Sequence, residues 1–94
     1  MKIMISQPMH GRTKEEIQAE REFAVKQLSA EGHEIVNTIW DIDPTLPALY
    51  YLGKCLQTMA EVDAVVFIGD WQHARGCQIE YQTALTYNKF IKIM

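Results

Sequence analysis

The sequence has few cysteines, no excess of basic residues and no long apolar run, and each shortage excludes a class of protein. Two cysteines, Cys55 and Cys77, are too few for a disulfide framework, so we expect free thiols in a reducing cytoplasm. The formal net charge of -3 argues against a nucleic-acid partner, which would favour a basic stripe. Apolar runs are shorter than a membrane span and the N-terminus lacks a signal-peptide pattern, so we expect no membrane partner.

The composition limits the size of the core. The chain has 94 residues, of which 48% are apolar and 22% are charged, as in ordinary soluble globular proteins. A chain of this length forms one domain around a small core. We therefore expect a single domain over residues 1–94.

Apolar runs and amphipathic stripes alternate along the chain. The predicted strands cover residues 2–6, 33–37, 63–69 and 90–94. The third of these is apolar throughout, which is typical of a central strand covered on both faces. Three helices are predicted between the strands: one from the Thr13 cap to about Gly32, one with Pro47 in its first turn, and one from about Gly76 to Tyr87.

Sequence spacing also predicts the inner face of each helix. Thr13 and Glu16 form a capping box, in which Glu16 reaches back to the cap. The predicted inner-face residues are Ile17, Ala24 and Leu28 in the first helix and Tyr51, Leu52, Leu56 and Met59 in the second. In the third helix, Glu80 shares a face with Cys77 and Ala84. A carboxylate on a buried face is costly unless it is paired or used in chemistry; the alternative is a solvated glutamate near the helix start.

The alternation of strands and helices predicts an α/β fold. We expect a flavodoxin-like or Rossmann-like three-layer sandwich with a four-stranded parallel sheet in the order 2-1-3-4. In that order the switch point lies between the first and third strands, and ligands bind there, outside the carboxyl ends of the strands. The loops that meet at this crevice are residues 6–12 and 69–76.

Glycine, amide and charged side chains in these loops, with one tryptophan from an earlier loop, are the candidate binding groups. The candidate ligand-binding residues are Ser6, Gln7, Pro8, Met9, His10, Gly11, Arg12, Trp40, Gly69, Asp70, Trp71, His73, Ala74, Arg75, Gly76 and Cys77. The arginines would bind phosphate or remain surface charges. The tryptophans would stack on a base or cover the edge of the core. Asp70 would bind a ribose hydroxyl or cap a turn. His10, His73 and Cys77 lack a metal-binding motif, so we expect no metal site and no cofactor.

Three segments resemble the nucleoside 2-deoxyribosyltransferase-like superfamily: KIMISQPMHGRT, GHEIVN and DAVVFIGDWQHARGCQIEYQTA. Within it the chain is most similar to a small branch catalogued as a domain of unknown function and related to 2'-deoxynucleoside 5'-phosphate N-hydrolases. Members transfer deoxyribose between bases or hydrolyse the glycosidic bond of deoxynucleoside 5'-monophosphates. Their nucleophile is a glutamate four residues after a loop glycine, and Gly76 and Glu80 match that spacing.

The resemblance implies that Glu80 is a catalytic nucleophile. A carboxylate of this kind attacks the anomeric carbon and forms a glycosyl-enzyme, which water or a second base resolves. The helix macrodipole is expected to keep Glu80 ionised, and backbone N–H groups of residues 75–77 are expected to hold a 5'-phosphate.

Three positions differ from the pattern of these relatives. Met4 stands where many have a tyrosine on the first strand, Cys55 where an aspartate assists the leaving base, and Ala74 where a serine or aspartate contacts sugar or phosphate. Without an acid or an orienting hydroxyl we expect slow or absent turnover.

The sequence therefore predicts a nucleotide-binding protein of one of two kinds. The first is an N-glycosidase or deoxyribosyltransferase that acts on a nucleotide. The second is a non-catalytic binder that sequesters a nucleotide-derived signal of the cyclic ADP-ribose type, as phage anti-defence proteins do. A third possibility is an assembly protein with a vestigial crevice.

A homo-oligomer, at least a dimer, is also expected. The second predicted helix carries more apolar side chains than one face of a small sheet needs: Tyr50, Tyr51, Leu52, Leu56 and Met59. Small domains often compensate for a small core by association. A twofold arrangement would pack these helices against their own copies. The resemblance implies that a neighbouring subunit completes the site.

Overall fold

The computed structural model of the chain describes residues 1–39, 43 and 45–94. Its strands are β1 (Lys2–Ser6), β2 (Glu34–Val36), β3 (Ala64–Phe67) and β4 (Phe90–Ile93). Its helices are α1 (Lys14–Ala30), α2 (Ala48–Met59) and α3 (Arg75–Thr86), and a short 3-10 turn at Trp71–His73 precedes α3. Strands and helices alternate along the chain, as the sequence predicts.

The four strands form one parallel sheet in the order β2-β1-β3-β4, which confirms the predicted α/β fold and strand order. Ser6 pairs with Phe67, so β1 and β3 end at the same level of the sheet. The chain leaves β1 for β2 on one side and later enters β3 on the other. The carboxyl ends of β1 and β3 therefore flank the switch point of the sheet.

The core has two layers, one on each face of the sheet. On one face, Met4 and Phe67 pack with side chains of α2 and α3. On the other face, Ile3 and Ile5 pack with Ala24 and Leu28 of α1. This division follows from the alternation of side chains along each strand. The result is a three-layer sandwich in which α1 covers one face, and α2 and α3 cover the other.

Several element boundaries differ from those predicted. Pro47 precedes the first residue of α2 as its N-cap, because its fixed φ of -72° is paired with an extended ψ of 157°. The Glu16 amide donates to Thr13 Oγ1 at 3.1 Å as predicted, but the Glu16 carboxylate meets the Thr13 hydroxyl at 3.2 Å. The 3-10 turn before α3 was not predicted. None of the helices in the described part of the chain has the length and apolarity that crossing a membrane requires.

Candidate functional site

The carboxyl end of β1 sends two buried polar side chains to opposite faces of the sheet. Ser6 points with Met4 toward α2 and α3, and Gln7 points toward α1. Ser6 is 2% exposed and Gln7 is 4% exposed, so both must find partners inside the protein. Each of them contacts a glutamate from the helix on its own side.

Glu80 of α3 lies against the Ser6 side of this strand end. Its residue is only 6% exposed. Ser6 Oγ donates a hydrogen bond to Glu80 Oε2 at 2.9 Å, and the Cys55 thiol lies close enough to lower the pKa of the carboxyl group. Glu80 shares its buried helix face with Cys77 and Ala84. The predicted orientation of Glu80 is confirmed, and its catalytic role stays a prediction.

Burial governs the ionisation of Glu80. Loss of solvent raises the pKa of Glu80 above that of an exposed glutamate, while the hydrogen bond from Ser6, the nearby Cys55 thiol and the charge of Arg21 oppose the change. That Glu80 is ionised stays a prediction, but the helix macrodipole contributes little to it. Residue 80 lies in the second turn of α3, which begins at Arg75, whereas the dipole acts mainly within the first turn.

The two cysteines are free thiols beside Glu80. Burial raises the pKa of Cys55 to about 12 and that of Cys77 to about 11. Thiols with such pKa values stay protonated at neutral pH and are poor nucleophiles. Cys55 therefore lies beside Glu80 as a neutral thiol and not as a charged assistant.

Arg21 of α1 is a buried cation that was not among the predicted site residues. Its residue is 6% exposed, and its Nε donates to Gln7 Oε1. Its two terminal nitrogens reach Thr38 Oγ1 only at 3.4 and 3.5 Å. Burial lowers the pKa of Arg21 to about 10, so the side chain stays charged at neutral pH. That charge acts on Glu80 across the end of the sheet.

Glu20 is the second carboxylate at this strand end and was also not predicted. Gln7 Nε2 donates to Glu20 Oε1 at 2.9 Å and to the Ile17 carbonyl oxygen at 3.1 Å. Arg12 Nη1 donates to the same Glu20 oxygen at 2.6 Å and to the Pro8 carbonyl oxygen at 3.2 Å. The guanidinium of Arg12, a candidate phosphate ligand, is therefore engaged in an ion pair within the protein.

The loop after β3 divides into a buried and an exposed part. Trp71 is 9% exposed and stacks on Tyr81 with ring centroids 4.9 Å apart. Trp71 belongs to the core on the α2 and α3 side of the sheet. It therefore covers the edge of the core, and the expectation that it stacks on a base is corrected. Asp70 Oδ1 and His73 Nδ1 lie 2.6 Å apart on the surface, where both side chains are mostly exposed.

The remaining predicted residues in the two loops differ in their exposure to solvent. Pro8, Met9, Ala74 and Gly76 are half-buried, whereas His10, Gly11 and Arg75 are exposed. Ala74 caps α3 without a side-chain hydrogen bond. Gly69 takes a φ of +66°, which favours glycine. Trp40 lies outside the described residues.

Metal binding finds no support in the described residues. No group of three or more His, Cys, Asp or Glu side chains among them is arranged to hold a metal ion. Cys77 is buried in the core, whereas His10 and His73 are exposed.

Comparison with known families gives one match. Residues 1–93 match a family model described as "Domain of unknown function (DUF4406)". No curated protein and no solved structure matches the chain. The family match covers nearly the whole sequence, and on that basis the chain belongs to the DUF4406 family.

Proposed function

We propose that this protein binds a nucleoside or nucleotide in the crevice at the carboxyl ends of β1 and β3. The sugar lies over Ser6 and Glu80, with its glycosidic carbon facing the Glu80 carboxylate. The loops at residues 6–12 and 69–76 enclose the ligand. This placement agrees with the rule that open parallel sheets bind ligands at the switch point.

The buried Glu80 carboxylate at the strand end is the observation that supports this proposal most. A structural glutamate in the second turn of a surface helix would normally point to solvent. Here the side chain is buried, a serine hydroxyl orients one of its oxygens at 2.9 Å, and no Lys or Arg among the described residues forms an ion pair with it. Perturbed, oriented carboxyl groups of this kind are concentrated at functional sites.

The start of α3 provides the groups for a phosphate. Its first backbone N–H groups have no side-chain cap, since the N-cap residue is Ala74. Such N–H groups and the helix dipole attract anions. Arg75 is exposed beside them, whereas Arg12 is already paired with Glu20. We therefore assign phosphate contact to the α3 start and Arg75 in preference to Arg12.

The same site favours binding over rapid turnover. A nucleophilic carboxylate must be ionised, and burial raises the pKa of Glu80. A leaving base must gain a proton, and the thiol at Cys55, with a pKa of about 12, is a weak acid for that purpose. A non-catalytic binder of a nucleotide-derived signal, including the cyclic ADP-ribose type, is the second candidate function that these two observations favour.

A thermal-unfolding panel tests the proposal. The ligands are nucleosides, nucleoside 5'-monophosphates, their deoxy forms, ADP-ribose and cyclic ADP-ribose. At a hundredfold excess over Kd, a ligand stabilises the fold by about 2.7 kcal/mol and raises Tm by about 10 °C or more. Chromatography of the same mixtures detects any free base, which separates an enzyme from a binder.

Glu80→Gln and Gln82→Ala form the matched pair of variants for this panel. Glu80→Gln keeps the shape of the side chain and removes its negative charge. Gln82 is exposed on the same helix, its side chain reaches only Thr86 among the described residues, and it serves as the control. We expect Glu80→Gln to abolish any base release, and Gln82→Ala to behave as wild type. An absence of stabilisation by every compound in the panel would refute the proposal.

We also propose a homo-oligomer that forms through α2. Leu49 is 73% exposed and Tyr50 is 48% exposed on this helix. An apolar groove of about 360 Å³ lies at the other end of the same helix, between α2 and α3, with Leu56, Met59 and Tyr87 among its lining residues. A second copy packed on this face would cover apolar surface that a monomer leaves in water.

A further inference from the structure

Glu20 is a second, differently held carboxylate at the same strand end as Glu80. Ser6 contacts Glu80 on one face of the sheet, and the next residue, Gln7, contacts Glu20 on the other. The two glutamates therefore approach the switch point from α3 and from α1. Glu80 is buried, whereas the Glu20 side chain is 28% exposed.

Only one of the two carboxylate oxygens of Glu20 accepts hydrogen bonds from the described residues. Oε1 accepts hydrogen bonds from Gln7 at 2.9 Å and from Arg12 at 2.6 Å. Oε2 accepts no hydrogen bond from the described residues. Gln7 and Arg12 thus fix the orientation of the carboxylate and leave one oxygen with free acceptor capacity, in a side chain that solvent can reach.

Gly69 gives this carboxylate its place at the crevice. A Cβ atom on residue 69 would lie 2.9 Å from Glu20 Oε1, closer than real Cβ contacts, and 3.0 Å from Oε2. The carboxylate therefore occupies the space above the end of β3 that a side chain would fill. It touches residues that follow both β1 and β3, which are the two sides of the crevice.

We infer that Glu20 Oε2 accepts a hydrogen bond from the 2'-hydroxyl of a ribose, so that the ligand is a ribonucleoside or ribonucleotide. This inference rests on the proposed function. With the glycosidic carbon placed over Glu80, the hydroxyl on the adjacent carbon is the donor that we assign to the Glu20 carboxylate. A carboxylate is an acceptor only, so it matches a hydroxyl and offers nothing to a 2'-deoxy carbon.

A role in holding Arg12 does not account for this arrangement. The ion pair needs only Oε1, and Arg12 also donates to the Pro8 carbonyl oxygen. If Glu20 had only a structural role, Glu20→Gln would change the stability of the protein, and it would change the affinities for the ribose and deoxyribose forms by the same factor. The ratio of the two affinities therefore isolates the proposed contact.

Isothermal titration calorimetry with paired ligands tests the inference. The probes are AMP with dAMP and GMP with dGMP, titrated into wild type, Glu20→Gln and Glu22→Gln. Glu22 is exposed on the same helix, and Glu22→Gln removes the same charge at a position away from the crevice. A hydrogen bond to a carboxylate corresponds to an affinity ratio of about tenfold to a hundredfold in favour of the ribose form.

We expect wild type and Glu22→Gln to show that preference, and Glu20→Gln to lose most of it through weaker binding of the ribose form alone. Equal binding of the ribose and deoxyribose forms by wild type, or an unchanged ratio in Glu20→Gln, would overturn the inference and leave the proposed function intact. Failure of every nucleotide to bind wild type would overturn the proposed function and the inference together.

Discussion

Ser6→Ala removes the hydroxyl that orients Glu80, and its cost can be worked out from the structure. Ser6 is 2% exposed and Glu80 is 6% exposed, so water does not replace the lost donor. The hydrogen bond between them measures 2.9 Å. A hydrogen bond to a charged group contributes about 1.5–3 kcal/mol, and one to a neutral group about 0.5–1.5 kcal/mol. We therefore expect the free energy of unfolding to fall by the larger amount when Glu80 is ionised.

The dependence of this cost on pH has a definite sign. The pKa of Glu80 in the folded state is raised, so the folded state binds more protons than the unfolded state between the two pKa values. The stability that protonation of Glu80 contributes is fully present below the pKa that Glu80 has in the unfolded chain. This stability is lost as the pH rises through the higher pKa that Glu80 has in the folded protein. Because the Ser6 hydrogen bond favours the ionised form, Ser6→Ala raises the pKa of Glu80 further and makes this loss larger.

Urea unfolding at several pH values measures both effects in a double-mutant cycle. The four proteins are wild type, Ser6→Ala, Glu80→Gln and the double variant. We expect a coupling energy of about 1 kcal/mol or more that grows as the pH rises. Ser29→Ala, on the exposed face of α1, serves as a control with an effect of about 0.5 kcal/mol or less. A coupling energy that is absent, or that shrinks as the pH rises, would show that Ser6 does not stabilise the ionised Glu80 carboxylate.

Three further predictions concern the core, the chemistry and the assembly. Phe67→Ala empties a fully buried position that also contacts Trp71 and Tyr81, and urea unfolding should show a loss of about 3–5 kcal/mol. If base release occurs, its rate should rise as the pH rises through the raised pKa of Glu80, because the nucleophile is the ionised carboxylate. A rate that falls over that pH range would indicate that Glu80 acts as a general acid instead. Light scattering after size exclusion should give a dimer mass or larger, and Tyr50→Asp should shift it toward the monomer; a wild-type monomer at micromolar concentration would contradict the proposed α2 interface.

The architecture was predictable because its signals are local. The unbroken apolar run of β3 and the Thr13 cap of α1 each mark an element without reference to the rest of the chain. Together with the handedness of parallel connections they leave few strand orders. The ends of strands were less predictable, since β3 stops at Phe67, two residues before the apolar run ends at Gly69. Hydrogen bonding to β1 and β4 determines that limit, and composition does not.

The position of Glu80 was predictable from helix geometry, but its partners across the sheet were not. A single signal for Arg21 was present: the residue continues the buried stripe formed by Ile17, Ala24 and Leu28, where a cation is out of place. Glu20 has no such signal, because one more glutamate on a charged helix is unremarkable in the sequence. Its role depends on the approach of Gly69, a contact between residues about fifty positions apart.

Trp71 shows how one residue type supports two interpretations of a sequence. A tryptophan in a loop next to a crevice suggests base stacking. The alternation of buried residues in β3 places Phe67 on the α2 and α3 side, where Trp71 and Tyr81 complete the core. The sequence does not encode this outcome locally, because it depends on the 3-10 turn that folds Trp71 back over the strand end.

Amide chemical shifts locate the bound ligand on the protein. Uniformly ¹⁵N-labelled protein is titrated with AMP and GMP while a two-dimensional ¹H–¹⁵N spectrum is recorded. If the ligand binds at the carboxyl ends of β1 and β3, the largest shifts fall in residues 6–12 and 69–80, and Glu80→Gln weakens or removes them. Shifts concentrated along the α2 and α3 groove, at Leu56 and Thr83, or no shifts at millimolar ligand, would show that the ligand does not bind there.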